Sequence, residues 1–307
     1  MKKKYIFPLL ALCVTGSAFS QTLSQAQKWF TEGKFAEAKP VFEKLVKQAP
    51  SNANYNFWYG ACCYETGEVN QSVPYLEKSA ERKVINGFLY LSKAYYDLYR
   101  FDDAIQNLED HIYWLERKNR DTSDAEALME RYRMGARMIR GVEKVAVIDS
   151  FTVDKQDFLS AYKLSREAGI IKATGEDGCT EFTNEMGDKK ILARQSEDGQ
   201  TRLYGSMKMI DNWSDPEPLK GLEDSGTDLN YPFMDSDGIT LYYAAQGAES
   251  IGGYDIFITR YDSDENAYLR PDNMGFPFNS PANDYMYALD DFNNLGWFAS
   301  DRYQPEG

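Results

Sequence analysis

The 307-residue sequence contains one histidine and four cysteines, and it has no long apolar run after its N-terminal segment. A single histidine, His111, excludes chemistry that needs paired imidazoles, and we expect it to be structural. Cysteines 13, 62, 63 and 179 form neither a disulfide framework nor a Cys-x-x-Cys metal site. Nucleotide-binding glycine loops, Gly-x-Ser-x-Gly and His-Glu-x-x-His are absent. The sequence therefore predicts no catalytic residue, no cofactor and no metal site.

Basic residues are scarce in one half of the chain. The sequence has 34 Lys and Arg against 48 Asp and Glu, a net charge of −14 that argues against nucleic acid as a partner. Residues 21–172 contain 22 basic and 22 acidic residues, whereas residues 173–307 contain 9 basic and 26 acidic residues, a net charge of −17. This asymmetry predicts two domains with different surfaces.

The N-terminal segment has the pattern of a secretory signal. Lys2, Lys3 and Lys4 precede an apolar run that is too short to span a bilayer, and small residues follow up to Ser20. We expect residues 1–20 to be a signal peptide cleaved after Ser20. Lipid attachment at Cys13 is the alternative, although leucine directly before that cysteine is a poor fit. The mature protein is then exported, with no transmembrane segment.

The first half of the sequence repeats with a period of about 34 residues. The second copy follows the first at a spacing of 34 and the third follows the second at 32, with these matches between the first two copies: Gly33 and Gly67, Phe35 and Val69, Ala38 and Ser72, Pro40 and Pro74, Phe42 and Leu76. In the third copy Tyr99 replaces the glycine. Apolar residues three and four apart predict two amphipathic helices per copy.

This pattern of glycine, aromatic, alanine, aromatic and terminal proline resembles the tetratricopeptide repeat (TPR). The resemblance covers about residues 21–117, and a further helix over 124–140 reads as a cap with a polar outer face. We therefore expect a TPR solenoid over residues 21–143.

The resemblance implies that the first helix of each hairpin lines a concave groove that binds partner chains. The residues at those positions are Phe30, Asn54, Phe57, Tyr64, Asn86, Leu89, Lys93 and Tyr96. The alternative for Phe57, Leu89 and Tyr96 is that they fill the seam between helices.

A connecting segment, residues 144–174, changes the periodicity. Val145, Val147, Phe151 and Val153 largely alternate with polar residues, which predicts a strand, and a short helix follows from Phe158. We expect that strand to complete the last blade of a ring of sheets formed by the rest of the chain.

Short strands separated by turns dominate the second half. Segments 189–194, 201–206, 240–244, 255–261 and 296–300 are rich in β-forming residues, and Asp198-Gly199 and Asp237-Gly238 are typical of tight hairpins. Tyr231 to Ala244 followed by Gly252 to Phe257 resembles the TolB-like, or WD-like, β-propeller repeat. The resemblance covers residues 175–307 and implies three blades beginning near 180, 228 and 283. Three blades cannot close a ring, so we expect a fragment of a longer protein.

Two features of this half raise the question of calcium binding or of catalysis. Asp262, Asp264 and Asn266 resemble the start of a calcium loop, but Ala267 occupies the position of the required glycine and Asn273 that of the bidentate glutamate. We expect a turn there. The acidic turns could supply a carboxylate pair for a glycosidase, which remains an alternative.

The predicted fold class is α+β multidomain, with an N-terminal α-helical TPR solenoid followed by all-β propeller blades in an incomplete ring. TPR repeats followed by a TolB-like propeller resemble Gram-negative cell-envelope proteins, some with an OmpA-like domain beyond the propeller. The resemblance implies a non-enzymatic scaffold in the periplasm or at the outer membrane. We expect envelope-protein partners, with basic ones at the acidic propeller and peptidoglycan only through an OmpA-like domain. A glycan-binding or glycan-cleaving propeller is the alternative.

Overall fold

The computed structural model describes residues 15–142, 144–174 and 178–304. The basic and apolar parts of the predicted signal peptide, residues 1–14, lie outside the described residues, as does Cys13. The chain divides between Glu126 and Ala127 into two compact units, a helical one and a β-rich one. No helix within the described ranges combines the length and the apolar character needed to cross a bilayer.

Seven α-helices occupy the described N-terminal part of the chain. Their bounds are α1 Thr15–Thr31, α2 Phe35–Gln48, α3 Ala53–Glu65, α4 Val69–Glu81, α5 Ile85–Asp97, α6 Phe101–Arg117 and α7 Ser123–Met138. Each helix from α1 to α5 packs on the next one, and α3 also contacts α5. The helical hairpins predicted from the 34-residue period are confirmed.

The turn inside each hairpin has the same backbone structure in all three copies. Gly33, Gly67 and Tyr99 have φ values of 74°, 77° and 60°. The next amide in each copy donates to the carbonyl five residues earlier, as Lys34 does to Trp29 at 2.8 Å and Arg100 does to Tyr95 at 2.8 Å. This is the Schellman pattern that ends a helix. The third copy therefore keeps the turn although it lacks the glycine.

Small residues allow the helices to approach closely. A Cβ on Gly60 would lie 2.8 Å from Cγ of Leu76, so only glycine fits where α3 crosses α4. Cys62 and Cys63 are fully buried and unbonded, so their side chains pack between the helices. His111 on α6 is also buried, and its Nδ1 lies 2.9 Å from the carbonyl oxygen of Ile85 on α5.

Twelve β-strands form the β-rich unit in its described ranges. Their bounds are β1 Ile170–Ala173, β2 Thr180–Thr183, β3 Lys189–Gln195, β4 Thr201–Met207, β5 Glu217–Pro218, β6 Thr227–Met234, β7 Thr240–Gln246, β8 Tyr254–Asp262, β9 Ala267–Tyr268, β10 Asp272–Asn273, β11 Asp284–Asp290 and β12 Leu295–Ser300. The first sheet has the order β1-β2-β3-β4-β5, the second β10-β8-β7-β6 with β9 paired to β8, and the third β11-β12. All of these pairs are antiparallel.

One apolar cluster joins the three sheets. Phe182 from the first sheet lies 4.9 Å from Phe233 of the second, measured between ring centroids, and Tyr242 of the second lies 4.8 Å from Tyr287 of the third. The buried faces of the strands therefore form a continuous core.

The structure differs from the sequence expectation over residues 145–153. No strand is assigned there, and the apolar side chains that suggested one are exposed, with Val147 at 75% and Phe151 at 56%. Alternation produces a strand only where a sheet edge offers backbone partners, and no described sheet pairs with this segment. The short helix that follows is a 3-10 turn over Phe158–Ala161.

Candidate functional site

Four aromatic rings form a row across the first helices of the three hairpins. We call Phe30, Phe57, Tyr90 and Tyr64 the aromatic row. Its ring centroids are 5.9 Å apart between Phe30 and Phe57, 5.8 Å between Phe57 and Tyr90 and 5.8 Å between Tyr90 and Tyr64. All three contacts are edge-to-face, the arrangement in which the positive edge of one ring meets the negative face of another. The row therefore joins α1, α3 and α5.

The predicted groove residues divide into two groups by exposure. Phe57 and Tyr96 are buried, at 6% and 4% exposed, so they lie in the seam between helices. Asn54 and Asn86 are exposed, and four others are half-buried: Phe30, Tyr64, Leu89 and Lys93. Six of the eight predicted positions thus offer surface to a partner, with buried Phe57 supporting Phe30 and Tyr90 from below.

Tyr90 was not among the residues predicted from the sequence, although it lies at the centre of the site. Its ring contacts both Phe57 and Tyr64, and Nζ of Lys93 lies 5.2 Å from its centroid. The position 32 residues earlier, Trp58, is also aromatic. That repeated aromatic is the signal that could have identified Tyr90.

The electrostatics of the site centre on Tyr90. Burial raises the pKa of its hydroxyl well above the usual value, and the negative charge of the nearby Glu65 carboxylate raises the pKa further. The hydroxyl therefore stays protonated at physiological pH. Lys93 places a positive charge over the same ring.

Two aspartate side chains, Asp255 on β8 and Asp284 on β11, are held inside the β-rich unit. Asp255 is fully buried and accepts hydrogen bonds from the amides of Ile251 and Gly252 and from Nδ2 of Asn273, at 2.7 to 3.0 Å. Asp284, also fully buried, pairs with Arg302 and accepts from Ser280. Burial raises the pKa of both carboxyl groups, that of Asp255 to about 7. Both side chains are engaged in holding loops.

The described part of the chain contains no cluster of histidine, cysteine and acidic residues suited to a metal ion. Asp262, Asp264 and Asn266, which resembled a calcium loop, lie on the turn after β8. Oδ1 of Asp262 accepts from the amide of Asp264 at 2.9 Å, and the Tyr261 hydroxyl bonds to Asn266. These contacts are those of a hydrogen-bonded turn.

One family model matches within the helical part of the chain. Residues 31–111 match the family described as anaphase-promoting complex, cyclosome, subunit 3. No curated protein matches the chain.

Several solved structures are similar to the chain over less than half of its length. The Yersinia enterocolitica type III secretion translocator chaperone SycD has 15% identity and a TM-score of 0.36, over 40% of this chain and 89% of SycD. PcrH, solved in complex with the chaperone-binding region of PopD, has 17% identity and a TM-score of 0.35, over 40% of this chain and 96% of PcrH. The Sgt2 TPR domain from Aspergillus fumigatus has 13% identity and a TM-score of 0.36, over 46% of this chain and 93% of that domain.

The family match and the repeated turn geometry together define the helical unit. The matched range 31–111 begins in the first hairpin and ends in the third. Helices α1 to α6 are TPR-like repeats, a class of structure whose stacked helical hairpins provide protein-interaction surfaces.

Proposed function

We propose that this protein is a non-enzymatic scaffold that binds an extended segment of a partner protein along α1, α3 and α5. The observation that carries the proposal is the aromatic row, which places half-buried rings on three neighbouring helices beside the exposed amides of Asn54 and Asn86. Apolar area removed from water contributes about 25 cal/mol per Å². Rigid aromatic side chains give such area at little entropic cost.

The asparagine amides supply hydrogen-bonding groups for the peptide backbone. An extended segment carries unpaired backbone N–H and C=O groups, which must find partners when water is displaced. An asparagine side chain offers both a donor and an acceptor. Asn54 and Asn86 occupy matching positions, 32 residues apart, at the starts of α3 and α5. They are thus spaced by one repeat along the same face.

A site-specific photocrosslinker tests this proposal in the full chain. Incorporated at Asn86, it is expected to give a discrete adduct that Tyr90→Ala reduces about tenfold, since interface tyrosines often dominate binding. Tyr113→Ala is the matched control, because Tyr113 is a tyrosine that is 48% exposed on α6, the second helix of the third hairpin. Adducts that persist in Tyr90→Ala, or that Tyr113→Ala reduces equally, would reject the site.

We also propose that the three sheets are successive blades of a β-propeller of the TolB-like class. One support is that the strands of the first and second sheets follow one another in meander order. The other is that β6 and β11, the first strands of the second and third sheets, each pack on the preceding sheet. The acidic composition of residues 173–307 favours basic partners at this unit. An experimental structure with the sheets arranged around one axis is the expected result, and two sheets stacked face to face would reject it.

The cellular setting is a further proposal, supported by the signal-like pattern of residues 1–20. We propose export to the periplasm or to the outer membrane, where other envelope proteins are the partners. N-terminal sequencing of the mature protein is expected to begin at Gln21, and fractionation is expected to recover it outside the cytoplasm. A mature chain that retains Lys2 to Lys4 would reject export by this route.

A further inference from the structure

The face that carries the aromatic row is almost free of charge, unlike the helices beside it. The three helices that carry the row contain four charged residues, which are Lys28 on α1, Glu65 on α3, and Lys93 and Asp97 on α5. In contrast, α6, which is the second helix of the third hairpin, has six Asp, Glu and Arg residues along its length. The chain is charged overall, so this difference separates one face from the rest of the helical unit.

Two of those four charges lie at one ring, and a third, Lys28, pairs with Glu32 at 3.7 Å. The Glu65 carboxylate lies near the Tyr90 hydroxyl, and its charge raises the pKa of that hydroxyl. Nζ of Lys93 lies 5.2 Å from the centroid of the same ring. Opposite charges fixed at one ring largely cancel at the distance of a ligand several ångströms away. Neither charge therefore creates a field that would select an acidic or a basic segment.

Apart from the half-buried side chains of Glu65, Lys93 and Asp97, the accessible groups on this face are neutral. They are the half-buried rings of Phe30, Tyr64 and Tyr90, the half-buried side chain of Leu89 and the exposed amides of Asn54 and Asn86. Rings and aliphatic groups bind apolar side chains, and amides bind peptide backbone. A charged ligand side chain placed here would lose water without finding a free partner of opposite sign.

We propose that the segment bound by this face is an uncharged, extended peptide in which apolar side chains alternate with polar backbone contacts. The inference rests on the proposed function and specifies the chemistry of the partner at the same site. Binding of this kind depends on apolar burial and neutral hydrogen bonds, neither of which salt screens. Affinity is therefore independent of ionic strength, although the protein carries a net charge of −14.

The test uses a displayed library of random 12-residue peptides, selected against the full chain and counter-selected against Tyr90→Ala. Peptides lost with Tyr90→Ala are expected to lack Asp, Glu, Lys and Arg. Their affinities are expected to change less than about twofold between 50 and 500 mM NaCl. Circular dichroism of Tyr90→Ala establishes that the variant is folded.

A second variant, Asn86→Lys, keeps the test decisive if Tyr90→Ala unfolds. This change leaves the aromatic row intact, adds a positive charge and removes an amide. It is expected to weaken binding of the selected peptides at least about threefold, because no acidic group on the ligand answers the new charge.

Two other outcomes have distinct meanings. The selected peptides could instead depend on Tyr90 but be rich in acidic residues. If such peptides bind more tightly to Asn86→Lys and weaken more than about tenfold at high salt, they would overturn the inference while supporting the proposed function. Selected peptides that bind wild type and both variants equally would overturn the proposed function itself.

Discussion

Tyr231 and Met286 lie 55 residues apart and occupy the same backbone position in two different sheets. Their φ values are 57° and 53°, and each lies in a β-bulge of the first strand of its sheet. The register around the bulges matches: Asn230 pairs with Ala244 and Phe233 with Tyr242 in the second sheet, and in the third Tyr285 pairs with Ala299 and Ala288 with Trp297. Every partner is shifted by 55. The second and third sheets are therefore built on one plan.

A hydrogen bond joins the two sheets at the same interval. Oγ of Ser236 donates to Oδ2 of Asp291 at 2.8 Å, and these residues are also 55 apart. Tyrosine and methionine share little chemistry, so the repeat is preserved in the backbone more clearly than in the side chains. This explains why the third unit shows only part of the sequence motif of the second.

The hairpin turns of the helical unit give a first prediction. Gly33 has a φ of 74°, and a Cβ built on it meets nothing within 4 Å, so Gly33→Ala tests backbone conformation alone. We expect the helical unit to lose about 1 kcal/mol of stability, measured by urea unfolding, because an L residue is strained at that φ. Gly141→Ala is the control, since Gly141 is equally open without a positive φ. Equal effects of both substitutions would contradict the argument.

The helical hairpins could be predicted from the sequence because their cause is local. Glycine ends the first helix of the first two copies, and a small residue, Ala38, Ser72 or Ala104, recurs with the period where the second helix packs closely. Tyr99 shows the limit of this reasoning, because the third turn keeps its geometry without glycine. The hairpin is held there by packing between helices, including a ring contact of 5.0 Å between Tyr96 and Phe101.

Strands β6 and β11 were harder to predict because bulges break the alternation that indicates a strand. In β6, Pro232 directly follows the bulged Tyr231, and buried residues cluster where alternation would place exposed ones. Segment 145–153 fails in the opposite way. Its apolar residues alternate well, yet it pairs with no described sheet. The periodicity of a segment does not show whether a sheet offers an edge strand for it to pair with.

The candidate site was predicted in part. Asn54 and Asn86 were identified by position within the repeat, and both are exposed. Phe57 was expected either in the groove or in the seam, and the contact with Tyr90 on the next hairpin accounts for its burial. Tyr90 itself was missed, although the aromatic Trp58 at the matching position of the preceding copy marks it; that its ring contacts Phe57 and Tyr64 is visible only in the structure.

The cysteines give a second prediction, on thiol reactivity. Burial raises the pKa of Cys62 to about 12 and that of Cys63 to about 11, and Cys179 is also buried. Because the thiolate is the reactive form, we expect none of these three thiols to react with an aromatic disulfide reagent in the native protein at pH 8. All three are expected to react after denaturation. Rapid reaction of a native thiol would contradict the packing described for α3 or for the first sheet.

His111 gives a third prediction, and its signal is unambiguous because the chain has one histidine. Burial lowers the pKa of the imidazole below its usual value of 6.5. We expect NMR titration of the native protein to give a pKa below 6.5. The unfolded chain binds the proton more readily than the native protein does. The contribution of His111 to the free energy of unfolding is therefore fully present above pH 6.5 and is lost as the pH falls through the lowered pKa.

His111→Gln is the matched variant for that prediction. Glutamine cannot take up a proton, so we expect the acid sensitivity of the helical unit to decrease. A native pKa at or above 6.5 would mean that the imidazole reaches solvent, contrary to its 4% exposure.

Asp255 gives a fourth prediction, with the opposite sign. Burial raises its pKa from 3.8 to about 7, so the native state holds a proton that the unfolded chain releases. The β-rich unit is therefore expected to lose stability as pH rises from about 4 to about 7, on the order of 1 kcal/mol per pH unit. The buried Asp284, whose pKa burial also raises although Arg302 opposes the shift, adds to the same trend. Urea unfolding followed by tryptophan fluorescence at several pH values measures the slope.

Asp255→Asn separates the charge of this side chain from its hydrogen bonds. The variant cannot ionise, so its unfolding free energy is expected to vary less with pH than that of wild type. It is also expected to be less stable at pH 5 by about 1 to 3 kcal/mol, because an amide nitrogen would face one of the donors from Ile251, Gly252 or Asn273. If the wild-type slope persists in Asp255→Asn, another group titrates in that range, and Asp284→Asn identifies whether it is the neighbouring carboxyl. A wild-type β-rich unit that becomes more stable from pH 4 to pH 7 would show instead that the three donors outweigh burial and keep Asp255 ionised.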